Sequence, residues 1–347
     1  MSHALAERRP TVTPAQLVAE MVPPPRFNDV RFDTYIPDAT QPSQSAAVAH
    51  LRAFAAAVTS GATASGAAGR RRLFRGRPKA PAAGQGVYLD GGYGVGKTHL
   101  LASLWHAVPV PAAQKSFGTF VELTNLVGAL GFQQAVAELS QRKLLCIDEF
   151  ELDDPGDTVL VSTLLTRLAE AGVHLAATSN TLPDKLGEGR FAAADFLREI
   201  QGLAARFTTL RIDGQDYRHR GLPDAPAPLA DEAVAKTADA HPGASLDDFP
   251  VLLAHLAAVH PSRYGALLAD TSAVGLRGVE TITDQATALR MVVLADRMYD
   301  RELPVIASGV PFDRLFTEEM LAGGYRKKYL RAVSRLVSLG RDGAALA

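Results

Sequence analysis

One stretch of this chain concentrates chemistry: Gly91-Gly92-Tyr93-Gly94-Val95-Gly96-Lys97-Thr98. It fits the pattern glycine, four residues, glycine, lysine and serine or threonine. Glycines let a backbone curl so that several N–H groups point inward at phosphate oxygens. A helix starting at Thr98 would add partial positive charge from its N-terminus. Lys97 would reach the β- and γ-phosphates, and the Thr98 hydroxyl would bind magnesium. The expected ligands are therefore ATP and Mg2+. The cofactor-binding set is Gly91, Gly92, Tyr93, Gly94, Val95, Gly96, Lys97, Thr98 and His99.

Four further residues fit the same chemistry. An apolar run, Leu144-Leu145-Cys146-Ile147, ends in Asp148 and Glu149. Carboxylates at a buried strand end are costly unless a metal or a polarised water sits beside them. Asp148 would hold the magnesium shell, and Glu149 would orient and activate the water that attacks the γ-phosphate. Asn180 follows another apolar run and could hydrogen-bond the γ-phosphate or that water; as an asparagine it also suits a turn. Arg206 closes a helical pattern ahead of Thr208–Ile212. It could stabilise transition-state charge in a neighbouring subunit, or simply compensate a helix C-terminus. Arg190 and Arg198 compete for the first role.

These residues need a scaffold that brings strand ends together. Short apolar runs alternate with helical patterns from residue 86 onward. Strands are expected at 86–89, 144–147, 173–178 and 208–212, with a strand running into a helix over 117–123. Helices are expected at 98–107, 159–171 and 191–205. Strands apolar on both faces and separated by helices make a parallel sheet covered on both sides, an α/β fold. Its ligands sit at the carboxyl ends of the strands, where the phosphate loop, the acid pair and Asn180 all fall.

Ahead of this core, residues 1–40 carry Pro23-Pro24-Pro25 and read as irregular. A helical pattern starts at Pro42 with Ala47, Val48, Leu51, Phe54, Ala55 and Val58. The composition then shifts to Ser, Gly and Ala and to a basic tract at 70–79, which reads as a flexible loop over 59–86. The expected division is an N-terminal segment 1–85, a core 86–220, a linker 221–245 rich in Pro, Ala and Asp, and a smaller, mostly helical domain 246–347.

Composition bounds the rest. The 347 residues are 47% hydrophobic and 21% charged, enough apolar material for a packed core. The 36 basic and 37 acidic residues leave a formal charge of −1, which argues against binding nucleic acid through bulk positive charge. A lone Cys146 excludes an internal disulfide framework and fits a reducing compartment. No run approaches a membrane span, and the first ten residues lack a secretory apolar region. A cytoplasmic protein is the expectation, with peripheral membrane association left open.

The phosphate loop, acid pair and late asparagine, in this order, resemble the AAA+ ATPases. Within them, the chain resembles the ZapE and mitochondrial AFG-type family. The residues that carry this are Asp148-Glu149-Phe150 followed by Asp154 and Asp157, then Thr178-Ser179-Asn180 with Pro183, Asp184 and Leu186. Asp213-Gly214-Gln215-Asp216-Tyr217-Arg218, Leu289-Arg290 with Leu294, Asp296, Tyr299 and Asp300, and Ser334-Arg335-Leu336 extend it. Tyr35-Ile36-Pro37-Asp38 and Pro42-Ser43-Gln44 match its opening. Two features depart from the family: no histidine follows the second strand in Phe117-Gly118-Thr119-Phe120-Val121-Glu122, and Phe196-Leu197 runs into Arg198 rather than proline.

The resemblance implies an ATP hydrolase that remodels a protein partner. For the bacterial members this partner is FtsZ, and for the mitochondrial ones the task is protein quality control. It implies a head-to-tail homo-oligomer and a helical lid domain, from which Arg290, or Arg335 as runner-up, would reach the γ-phosphate. A surface pairing of Arg290 with Asp296 or Asp284 competes with that role. Gln44 or its neighbours are candidates to approach the adenine. The alternative function is a DNA-associated AAA+ ATPase of the helicase-loader or DnaA type. A nucleic-acid partner is not expected, because no helix-turn-helix or zinc site accompanies the basic tract.

Overall fold

Burial on both faces shapes the inner strands of the first sheet. The computed structural model describes residues 3–60, 84–92, 94–151, 155–182, 201–202, 204–214 and 225–346. Tyr93, Arg190, Arg198, the basic tract 70–79 and most of the expected helix 191–205 lie outside them. Five strands, β1 (Gly86–Gly91), β2 (Lys115–Thr119), β3 (Leu144–Asp148), β4 (His174–Ser179) and β5 (Phe207–Ile212), are all parallel in the order β2-β3-β4-β1-β5. Every residue of β1 and β3 is buried, as continuous apolar strands demand. This is the parallel α/β sheet that the alternating pattern predicts.

Helices cover the sheet. After the short α1 (Pro14–Ala19) comes α2 (Pro42–Ser60), in which Ala47, Leu51, Phe54, Ala55 and Val58 recur at helical spacing and are all buried. They share a cluster with Val87 and Leu89 of β1 and with Leu100, Leu101 and Leu104 of α3 (Lys97–Ala107). Alternation along β1 sends Tyr88 to the other face, where its ring meets Phe150 and Phe207 edge-on at 6.3 and 5.7 Å. Burying each such leucine or phenylalanine is worth about 1.5–3 kcal/mol. Two further helices, α4 (Phe120–Leu130) and α5 (Phe132–Leu139), follow β2, and α6 (Pro155–Glu170) joins β3 to β4.

The chain divides into two compact units: Pro14–Pro23 with Phe27–His219, and Arg220–Ala347 with Met1–Thr13 and Pro24–Arg26. The second unit has its own parallel sheet, β6 (Ala244–Asp248), β7 (Ala273–Val279) and β8 (Val305–Gly309), ordered β6-β7-β8. Around it lie α7 (Asp231–Ala240), α8 (Phe249–Ala258), the short α9 (Tyr264–Leu267), α10 (Gln285–Asp300), α11 (Glu318–Ala322) and α12 (Arg326–Ala344).

Two boundaries differ from the sequence reading. Residues 221–245 are expected to be a linker, yet α7 and the start of β6 fall inside them. Val234 and Ala238 of α7 are buried, but its alanines and acids disguise the apolar stripe. The first residues, expected to lead into the core, instead belong to the second unit. Leu246 N–H donates to the His3 carbonyl along the edge of β6, at 2.9 Å. The buried Asp247 carboxylate accepts the amides of Leu5 (3.0 Å) and Ala6 (2.8 Å). Burial pushes the Asp247 carboxyl above the usual carboxylate range, and the two amides oppose that shift.

Candidate nucleotide site

The phosphate loop leaves β1 at Gly91 and enters α3 at Lys97. Gly94 and Gly96 have φ of 81° and 86°, a left-handed conformation that glycine adopts freely. Gly96 is pinned a second way: a Cβ there would lie 2.6 Å from Cε2 of Tyr35. The Tyr35 hydroxyl donates to the Val95 carbonyl at 2.9 Å, so the opening segment braces the back of the loop. Gly96 is the N-cap of α3 and supplies no side-chain hydrogen bond, which leaves the first amides of the helix to an incoming anion.

Side chains from three strand ends converge here. Lys97 Nζ donates to the carbonyls of Gly91 (2.8 Å) and Gly92 (2.6 Å) and to Asn180 Oδ1 (2.9 Å). The Thr98 hydroxyl lies 3.1 and 3.0 Å from the two carboxylate oxygens of Asp148. The sequence places these residues far apart, and the ends of β1, β3 and β4 bring Lys97, Thr98, Asp148, Glu149 and Asn180 together. A hydroxyl facing a carboxylate is a hard-oxygen pair of the kind that takes magnesium alongside substrate phosphates and waters. Among the described residues no group of three or more His, Cys, Asp or Glu side chains could hold a metal by itself.

Glu149 has φ of 54°, left-handed for a residue with a Cβ. Such a conformation costs on the order of 1–3 kcal/mol and persists only where surroundings impose it. Thr178 does so. Its hydroxyl accepts the Glu149 N–H (3.0 Å) and donates to Asp148 Oδ1 (2.5 Å), and its carbonyl accepts the Phe150 N–H (2.7 Å).

Other positions were not foreseen. Asp90, 2% exposed, immediately precedes the loop. Arg211 bridges it (2.5 Å) to Asp213 (3.0 Å), tying the ends of β1 and β5. The charge pattern of an alternating strand does not reveal such a pair. Tyr88 donates its hydroxyl to the Thr181 carbonyl at 2.7 Å and fastens the segment that carries Asn180. Burial drives the Tyr88 phenol well above its ordinary pKa, so it stays protonated as a donor.

Several expected residues sit elsewhere. His99 Nε2 contacts the Thr34 hydroxyl (3.0 Å) and the Arg31 carbonyl (3.2 Å), and its ring stands edge-on to Tyr35 rather than in the loop. The buried Gln44 amide is spent on the chain itself, donating to the Asp213 carbonyl and accepting from the Asp38 amide, both at 2.8 Å. Arg206 precedes β5 at the amino ends of the strands, since Phe207 pairs with Gly86. Its own phosphate loop lies a full strand away, about 15–20 Å.

In the second unit, Arg290 Nη1 donates to the carbonyls of Leu256 (3.1 Å) and Val259 (3.3 Å) at the C-terminus of α8. Neither expected acid pairs with it there. Asp284 caps α10 by accepting the Thr287 amide at 2.8 Å, and Asp296 holds Arg331 (3.0 Å) and Arg335. Burial opposes ionisation of Asp296, but the two guanidiniums outweigh it and hold its carboxyl below the usual range.

The AFG1-like ATPase family model matches residues 11–242 and 226–344. Cell division protein ZapE of Escherichia coli (strain K12) is 34% identical over 164 residues, 44% of this chain and 44% of that protein. An uncharacterised protein of Schizosaccharomyces pombe is 29% identical over 153 residues, 40% of this chain and 34% of that one. The chain thus matches less than half the length of these relatives. Among solved structures, the DnaC helicase loader covers 54% of this chain and 99% of its own at 19% identity and a TM-score of 0.36. AMPPCP-bound DnaA from Aquifex aeolicus covers 91% of each at 11% identity and a TM-score of 0.38. No described helix is long and apolar enough to cross a membrane. The family match runs through both compact units, and on that breadth the chain belongs to the AFG1-like ATPases.

Proposed function

We propose that this chain hydrolyses ATP with magnesium and couples the nucleotide cycle to remodelling of a protein partner. The observation that carries the reading is the convergence of Lys97 with Asn180 and of Thr98 with Asp148 beside an uncapped helix N-terminus. In this reading Lys97 exchanges loop carbonyls for phosphate oxygens. Thr98 and Asp148 hold the magnesium shell, Glu149 activates the water, and Asn180 orients it or the γ-phosphate.

FtsZ polymers are the proposed bacterial partner. The support is the family resemblance and the Escherichia coli relative, whose name is a cell division protein. A cytoplasmic home belongs to the same reading. Arg206 is proposed to act in a neighbouring subunit of a head-to-tail assembly, because a full strand separates it from its own loop. Arg290 is proposed as the lid cation; that role requires it to exchange the carbonyls of Leu256 and Val259 for a phosphate.

Two measurements test this. Glu149→Gln should bind ATP while turnover falls on the order of a hundredfold or more, and should cosediment with FtsZ when ATP is present. Wild-type turnover in that variant removes the hydrolytic assignment. Arg206→Ala and Lys97→Ala should each be nearly inactive, and their mixture should regain turnover. No rescue on mixing would exclude Arg206 as an arginine acting between subunits.

A further inference from the structure

Two consecutive residues of a β-strand point to opposite faces, so a strand cannot by itself aim both Asp148 and Glu149 at one site. Along β3, Cys146 and Leu144 lie in the same cluster as the α3 leucines. Asp148 keeps that parity and faces Thr98 of α3. Continued alternation would send Phe150 to the same side. Phe150 instead packs on Tyr88 (6.3 Å) and Phe120 (5.2 Å), on the other side of the sheet. The chain therefore breaks its alternation at Glu149, where φ is 54°.

We propose that Thr178 is the positioning residue that makes this break and thereby aims Glu149 at the attacking water; the proposal rests on the hydrolytic reading of the site. Thr178 lies on the neighbouring strand β4, beside β1 at Leu89. It catches both amides that leave the ladder: its hydroxyl takes the Glu149 N–H and its carbonyl takes the Phe150 N–H. The same hydroxyl gives its proton to Asp148 Oδ1. Only a side chain that accepts and donates at once can do this, and a hydroxyl is the smallest that can. Thr178 is 2% exposed, out of reach of bulk solvent. It touches no reacting atom. It links the magnesium-side carboxylate to the backbone of the base, so that the two acids keep one spacing.

Thr178→Val keeps the shape and strand preference of the side chain and removes the hydroxyl. The expected result is a turnover number lower by tenfold or more, an ATP dissociation constant within twofold of wild type, and recovery of most turnover in Thr178→Ser. Because Thr178 acts through Glu149, adding Thr178→Val to Glu149→Gln should slow single turnover no further. A stability role alone would lower the melting temperature and leave this split, the serine rescue and the non-additivity absent. Unchanged turnover in a folded Thr178→Val, or a second loss of tenfold in the double variant, overturns the proposal. If Thr178→Val does not fold, the comparison is made between Thr178→Ser and Thr178→Ala, and equal turnover of the two overturns it. Wild-type turnover in Glu149→Gln would be a different failure, removing the base itself.

Discussion

The two compact units build with the same parts and finish them differently. Each has a parallel sheet whose strands feed helices, and the junctions differ in how the first amides of the helix are capped. In the core, β1 enters α3 through glycines, and Gly96 supplies no capping side chain. In the second unit, α10 starts at Asp284, whose carboxylate accepts the Thr287 amide. The core itself repeats the contrast: β2 enters α4 through Thr119 and Glu122, which form a reciprocal capping box. A carboxylate at the cap satisfies the amides and repels an anion. A glycine adds no such carboxylate. The same strand-to-helix unit is thus an open or a closed joint, depending on one or two side chains.

The comparison can be broken or sharpened by substitution on each side. The largest expected effect is Lys97→Ala, which removes the cation above the open junction. ATP affinity should fall on the order of a hundredfold, about 3 kcal/mol, with little change in thermal stability. An unchanged dissociation constant by calorimetric titration would mean that the open junction is not the phosphate site.

Next comes Asp296→Asn in the second unit. It leaves Arg331 and Arg335 without their shared carboxylate, and should cost about 2–3 kcal/mol of stability with ATP affinity unchanged. The Asp296 pKa is depressed in the folded chain, so its contribution is present above the unfolded value of 3.8 and is lost as pH falls through the folded one. Denaturant titrations at pH 7 and near pH 3 should show the gap between wild type and variant shrinking at the lower pH. A gap that widens there would reverse the sign of the argument.

The smallest effect is Asp284→Ala, which opens the closed junction. Loss of the cap should lower stability by about 1 kcal/mol. It should create no ATP binding in Lys97→Ala, since amides without a lysine and a glycine loop do not make a nucleotide site. Recovered binding would show that capping alone separates the two junctions.

Much of the candidate site was legible because its signals are local. The spacing from Gly91 to Thr98 encodes a turn and a helix start, and an apolar run ending in Asp148-Glu149 encodes a strand end. Asn180 was readable as the polar end of a third strand, although its partner Lys97 was not. Thr178 was visible only as part of a strand, because its role depends on hydrogen bonds to Asp148 and Glu149 on the neighbouring strand. The Gln44 amide and the His99 ring looked available for nucleotide and are instead engaged by Asp38, Asp213, Thr34 and Arg31. Single sequence positions carry no record of such partners.

The amino-acid sequence by itself determined the parallel α/β core, the phosphate loop and the identity of the acids, because turn chemistry and apolar period act within a few residues of their cause. Only the tertiary structure decided how the chain is shared between units. Residues 3–9 join the second unit because Asp247 needs the amides of Leu5 and Ala6, a contact between segments some 240 residues apart. Likewise, the left-handed turn at Glu149 is favoured by no local preference of that residue. It exists because Thr178 and Tyr88, on two other strands, offer hydrogen-bonding and packing partners that repay the strain.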